Sequence, residues 1–253
     1  MKRVMLTVWF MLIMLLGLAT AVSAQEKATS ADDEIREAAL NALMQMDGER
    51  ALPVIERVLQ TEKRPELRKK ALFALSQIGG EKALTRLQAI AEKDSDLEIR
   101  GQAIFWISQM EGEKSFAVLI GLYEKVVEKK LKEKLIFAFS QHDGDAAYQK
   151  LVTIARTDKD DDAREKAIFW IGQSNRSDAA SILESLLKET GSLAVGEKIV
   201  FSISQLGSAQ SVPMLIKIAR THQRVELRKK AIFWLGQSDS DEAVKFLEEL
   251  ANE

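Results

Sequence analysis

Arg228-Lys-Lys-Ala-Ile-Phe-Trp-Leu-Gly-Gln237 decides the fold, because versions of this stretch return at one fixed interval along the chain. Anchored on its glutamine, the copies fall at Gln45, Gln77, Gln109, Gln141, Gln173, Gln205 and Gln237, each 32 residues after the last and none needing a gap. A period of this size marks stacked supersecondary units, since one such unit cannot bury its apolar side alone and must lean on its neighbours. Seven units counted back from Glu253 fill residues 30–253.

Each unit carries two helical patterns. In the second unit Glu66 to Gln77 makes the first helix, Ile78-Gly79-Gly80 ends it, and Glu81 to Glu92 makes the next. Turn punctuation follows every anchor, as in Asp47-Gly48, Gly112, Asp143-Gly144, Asn175, Gly207-Ser208 and Asp239-Ser240, residues that favour a helix stop. Three prolines and 13 glycines in 253 residues leave long stretches without breakers. The expected fold is all-α, an α-solenoid: a superhelical stack of seven helix-turn-helix repeats. Pro53 and Pro213 share one repeat position near the start of the second helix, where a missing backbone donor is expected to cost little.

On a helical wheel the first helix of each unit has three sides. Ile35, Leu67, Ile99, Leu131, Ala163, Val195 and Leu227, ten before the anchor, share a side with Leu43, Leu75, Ile107, Phe139, Ile171, Ile203 and Leu235; this side is expected to pack on the paired helix. Leu72, Ile104, Ile136, Ile168, Val200 and Ile232 point sideways, as neighbouring repeats require. The remaining side carries Lys70, Gln102, Lys134, Lys166, Lys198 and Lys230, the anchor glutamines, and in their midst Phe73, Phe105, Phe137, Phe169, Phe201 and Phe233.

An aromatic row amid lysines and glutamines, facing away from the core, is the informative exception. It reads either as a strip gripping an extended partner or as rings covering one another where inner helices crowd together. Trp106, Trp170 and Trp234 alternate with Ala74, Ala138 and Ser202 at one position. They interdigitate between inner helices or serve as aromatic platforms. The glutamines are expected to bond adjacent turns at the helix ends. The arginines nine before the anchor (Arg36, Arg68, Arg100, Arg164, Arg228) are expected to pair with inter-repeat acids such as Asp96 and Asp160. One unit has Gly196 instead, which predicts a softer junction there.

Composition narrows the function. There are 36 basic and 38 acidic residues, for a net charge of −2, so a general nucleic-acid footprint is absent. The lack of cysteine excludes disulfides, zinc-thiolate sites and thiol catalysis. No nucleophile elbow, phosphate loop or metal-spaced cluster occurs, and Asp158-Lys159-Asp160-Asp161-Asp162 reads as a solvated turn rather than a calcium loop. No catalytic residue, metal or cofactor is expected. Lys2 and Arg3 precede an apolar run from Val4 to Leu18, and Val22-Ser23-Ala24 fits a signal-peptidase site. The reading is a signal peptide over residues 1–24 cleaved after Ala24, a polar lead-in at 25–29, and a periplasmic or secreted protein. An uncleaved anchor is the other reading, although the run is shorter than the roughly 20 apolar residues a spanning helix needs.

With Leu227-Arg228, Ala231 and Leu235-Gly236 in place, the unit resembles the HEAT-like repeat of the phycobilisome-lyase type, over roughly residues 30–253. The resemblance implies a concave surface lined by the first helices, with the lysine, phenylalanine and glutamine rows meeting a partner. Trp106, Trp170 and Trp234 depart from the family's alanine, and Lys132 and Gly196 from its arginine. Relatives that hydroxylate a modified lysine use several His-Glu pairs for two irons. Here only His142 and His222 are present and neither precedes glutamate. The function expected is an exported, non-enzymatic scaffold binding a protein or peptide, with no nucleic acid, and with a membrane only through an uncleaved leader. The alternative is a lyase-like or chaperone-like subunit that handles a pigment or cofactor.

Overall fold

The computed structural model describes residues 32–142 and 144–252; the leader expected at 1–24 and the lead-in at 25–29 lie outside them. Among the described residues there are fourteen helices and no strand, in seven consecutive pairs. α1 (32–44) pairs with α2 (Gly48–Thr61), α3 (Pro65–Ile78) with α4 (Gly80–Lys93), and α5 (Leu97–Ser108) with α6 (Glu113–Lys125). Then follow α7 (Lys129–Gln141) with α8 (Asp145–Thr157), α9 (Asp161–Gln173) with α10 (Ala179–Glu189), α11 (Leu193–Ser204) with α12 (Ser208–Thr221), and α13 (Val225–Leu235) with α14 (Asp241–Asn252). The fold is the all-α solenoid of repeats that the 32-residue period predicts.

Local chemistry sets the helix ends. The carboxylates of Asp47, Asp96 and Asp160 accept from the backbone N–H two residues on and so cap α2, α5 and α9, each cap being worth about 1 kcal/mol. Gly112 and Gly144 lead into α6 and α8 at φ of 106° and 110°, a backbone region that a side chain would strain. Pro53 and Pro213 correct their expectation. Each is the sixth residue of its helix, beyond the first turn, so the carbonyls of Glu49 and Ala209 have no helical N–H partner.

The chain divides into two compact units, Met1–Ala89 and Ile90–Glu253, with the division inside α4. In the first unit Leu40, Ala51, Ile55, Leu67, Ala71, Leu72 and Leu75 make the core. Ile35 was expected on the buried side but is 69% exposed, since no described repeat precedes it to cover that side. In the turn after α2, the Glu62 carboxylate accepts from Arg64 Nε and Nη2 at 3.0 and 2.9 Å, from the Lys63 and Arg64 backbone N–H groups at 2.8 and 2.9 Å, and from Arg36 Nη1 at 3.1 Å.

In the second unit the residues ten before the anchor, Ile99, Leu131, Ala163, Val195 and Leu227, are at most 3% exposed. Ile104, Ile136, Ile168 and Val200, five before it, are fully buried. Burying each large aliphatic stabilises the stack by roughly 1.5–3 kcal/mol relative to exposure. Consecutive odd-numbered helices from α5 to α13 lie against one another along this unit, more closely than the even-numbered ones.

The repeat arginines meet the sequence expectation in part, since Arg36 pairs with Glu62, Arg100 with Glu128 and Arg164 with Asp161, but their recurring partner is a backbone carbonyl. Nε of Arg100, Arg164 and Arg228 donates to the carbonyl of Ala91, Ala155 and Ala219, each nine residues back on the preceding even-numbered helix, at 2.9, 3.1 and 2.7 Å. The far side of the guanidinium reaches forward, from Arg100 to Glu128 at 2.6 Å and from Arg164 to Thr190 at 3.3 Å. Asp96 and Asp160 are occupied as caps, so the acceptor is chiefly a helix-end carbonyl that would otherwise lack a partner. Lys132 replaces this tie by reaching Asp158 at 3.4 Å, where the buried Tyr123 hydroxyl also donates at 2.7 Å. At Gly196 there is no tie, and a Cβ there would lie 2.9 Å from Leu227 Cδ1.

Two outcomes follow from these contacts. The Arg64 side chain, helped by backbone N–H groups, lowers Glu62 from 4.5 to about 2. Its folded pKa is depressed, so its contribution is fully present above pH 4.5 and is lost as pH falls through about 2. Acid titration followed by circular dichroism should show this component in the unaltered chain and lose it in Glu62→Gln. Amide exchange at the start of α11 should exceed that at the start of α9 by on the order of tenfold, the worth of one charged hydrogen bond; equal rates would mean that Leu227 fully replaces the arginine.

Candidate partner-binding face

The phenylalanines four before the anchor lie beside the fully buried aliphatic row, so each ring is half in the stack and half out. Phe105 and Phe137 are each 37% exposed and Phe233 is 55% exposed, while Phe169, Phe201 and, in the first unit, Phe73 are half-buried. In the second unit the rings join into one row. Phe137 meets Trp170 at 5.4 Å, Trp170 meets Phe169 at 5.0 Å, and Phe169 stacks on Phe201 at 6.4 Å with the planes 5° apart. Phe201 then meets Trp234 at 5.3 Å and Trp234 meets Phe233 at 5.0 Å. Phe105 and Trp106 form an edge-on pair at 4.9 Å on α5.

The tryptophans pack between helices and also reach the surface. Trp170 and Trp234 fill the space between neighbouring odd-numbered helices, with Ala138 and Ser202 buried at the small positions between them. Their half-exposed rings also continue the row on the face. Such pairs contribute about 0.5–1.5 kcal/mol beyond area burial. The indole Nε1 of Trp234 is buried with no hydrogen-bond partner among the described residues, an unmet donor that costs roughly 1–3 kcal/mol.

The lysine row is tied to the repeat before it. Lys70 pairs with Glu37 in the first unit; in the second, Lys166 pairs with Glu133 at 3.5 Å and Lys230 with Glu197 at 3.3 Å. Lys134 lies across Gly101, where a Cβ would fall 2.5 Å from Lys134 Cδ, so the glycine makes room for the neighbouring lysine. Lys198 Nζ sits 5.0 Å from the centre of the Phe169 ring and 4.8 Å from that of Phe201, over two stacked rings at once. Burial pushes the Lys198 ammonium pKa down and that of the nearby Glu165 carboxyl up.

The anchor glutamines from Gln77 to Gln237 are all exposed. Their expected bonds to adjacent turns are corrected in four repeats. Gln77, Gln109, Gln141 and Gln205 donate to the hydroxyl of the preceding serine at 3.4, 3.3, 3.1 and 3.1 Å. Each serine, Ser76, Ser108, Ser140 or Ser204, donates in turn to the carbonyl of the phenylalanine three before it at 2.7 Å. The serines went unnoticed in the sequence, though Ser-Gln recurs at the repeat spacing. They bind the glutamine to the last turn beside the ring and leave it on the surface.

Two cavities open along the row. One of ≈ 270 Å³ is walled by Phe105, Phe137, Lys134 and Gly101. Another of ≈ 290 Å³ is walled by Phe201, Trp234, Lys198, Lys230, Glu165 and Glu197. Among the described residues no three His, Cys, Asp or Glu side chains gather as a metal site, and no helix is long and apolar enough to cross a membrane.

Residues 23–132 and 148–225 match the model for HEAT repeats. Among curated proteins nothing matches the chain. Of solved structures, human deoxyhypusine hydroxylase in complex with glycerol is similar at 15% identity, over 88% of this chain and 92% of its own, with a TM-score of 0.36. A structure described as a computational design of self-assembling cyclic protein homooligomers is similar at 17% identity, over 90% of this chain and 81% of its own, with a TM-score of 0.15. With both matched stretches spanning most of its length, the chain belongs to the HEAT-repeat family.

Proposed function

We propose that this chain is an exported, non-enzymatic interaction module that holds an extended protein segment along the odd-numbered helices of its second unit. The observation that carries the reading is the continuous row from Phe137 to Phe233, open to solvent at 37% for Phe137 and 55% for Phe233. Solenoid repeats supply extended binding surfaces of this kind, and large rigid rings dominate the energy of protein interfaces. Beside the rings, Lys166 and Lys230 are held by Glu133 and Glu197 of the preceding repeat, and Lys198 by the rings of Phe169 and Phe201. Export rests on the leader read at residues 1–24 and on the Val22-Ser23-Ala24 cleavage pattern. The lyase-like reading draws no support from the row, whose cavities of ≈ 270 and ≈ 290 Å³ fall short of the roughly 300–1,000 Å³ usual for small-molecule sites; a cavity of ≈ 550 Å³ walled by Leu187, Pro213, Ile218, His222 and Leu227 lies away from the row.

The test is retention of a partner from the native envelope by the unaltered chain and by the Phe137→Ala, Phe169→Ala double variant. Removing two such rings should weaken binding about thirtyfold or more, the effect of a loss of ~2 kcal/mol, with helical circular dichroism unchanged. Unchanged binding with a collapse in thermal stability would assign the rings to packing alone. Copurification of a chromophore would favour the alternative, and a mature N-terminus at Met1 would contradict cleavage of the leader.

A further inference from the structure

Internal repeats bury the same residues over and over, and the two ends of the chain leave those residues bare. Ten before the anchor, Leu67, Ile99, Leu131, Ala163, Val195 and Leu227 are 0–3% exposed, but Ile35 is 69% exposed. Ala39 and Ala42, on the same stripe of α1, are exposed although their counterparts Ala71 and Ala74 are fully buried. At the other end, seven after the anchor, Leu84, Tyr148 and Val212 are 7%, 5% and 2% exposed, whereas Val244 on α14 is 50% exposed. Ile232 and Leu247 are half-buried where their counterparts Ile168 and Leu183 are fully buried. A terminal repeat that faces water needs a polar outer side, and among the described residues Ile35 at one end and Val244 at the other keep these sides partly apolar.

The charges at the two ends follow the rule that joins repeats elsewhere. Ion pairs recur between residues 33 apart, as in Glu49 with Lys82 and Glu184 with Lys217, both at 2.6 Å. Asp241 stands at the repeat position of Glu49, and Arg50 at that of Lys82. Glu248 stands at the position of Glu184, and Arg57 at that of Lys217. All four are exposed, and none makes an ion pair with another described residue.

We propose that the chain binds a second copy of itself head to tail, the last repeat of one copy (α13 and α14) stacking on the first repeat of the next (α1 and α2). The exposed Val244 and half-buried Ile232 and Leu247 of one copy then cover Ile35, Ala39 and Ala42 of the other, as an ordinary inter-repeat junction does. Asp241 meets Arg50 and Glu248 meets Arg57 across the join. The two surfaces differ, so the contact is heterologous and each bound copy presents a fresh end.

Sedimentation of the full chain, and of the chain begun at Gln25, tests this between about 1 μM and about 1 mM, where associations of modest affinity are read. Mass should rise with concentration for the unaltered protein. Ile35→Asp and Val244→Asp should each stay monomeric alone and form a 1:1 dimer when mixed, because each keeps one good end. Reversal of Arg50 and Arg57 to glutamate should weaken assembly several-fold, and reversal of Asp241 and Glu248 to lysine in the same chain should restore it. A monomer throughout overturns the proposal. Self-association of Ile35→Asp alone, or no dimer on mixing, also overturns it.

Discussion

Apolar contact between successive odd-numbered helices is the constraint on which everything else rests. Ile104, Ile136, Ile168 and Val200 are fully buried because each meets the next repeat, and the exact 32-residue phase brings the same positions together every time. Without that phase an isolated helix pair would expose half its apolar surface, and the conformational entropy of ordering it would not be offset. The close approach of α9 and α11 shows how tight the junction is: a Cβ at Gly172 would lie 3.0 Å from that of Ser202.

Register then creates rows. Once equivalent helices lie side by side, a residue type repeated at one position becomes a line of side chains, and the alternation of large Trp170 and Trp234 with small Ala138 and Ser202 lets that line be continuous without overfilling the gaps. The arginine ties work in another direction, fastening α5, α9 and α13 to the carbonyl end of the even-numbered helix before each. Packing and the exposed row thus share atoms, since the same tryptophan that fills a junction leaves part of its ring at the surface.

Helix boundaries, repeat phase and the phenylalanine row were legible because each depends on a residue's own type and its position in the period. The arginine's acidic partners were legible, as Glu62 and Glu128 show, but its carbonyl acceptor was not, because a backbone carbonyl such as Ala155 O has no signature in the sequence. The glutamine's true partner was hidden for a related reason: Ser76 or Ser140 is an unremarkable helix residue until its hydroxyl is seen turned onto the phenylalanine carbonyl. Burial at the ends was misjudged at Ile35, where a wheel assigns a side but does not say whether a neighbour exists to cover it.

A crosslink between repeats tests the register most directly, and the absence of native cysteine makes it clean. In a Gly172→Cys, Ser202→Cys chain the two Cβ atoms lie about 3.0 Å apart before any adjustment, close to the ~3.8 Å that a disulfide spans. Air oxidation should consume both thiols with helical content retained, while Gly172→Cys combined with Ile203→Cys should keep its thiols free. Free thiols in the first variant, or equal crosslinking in the second, would contradict the stacking on which the aromatic row depends.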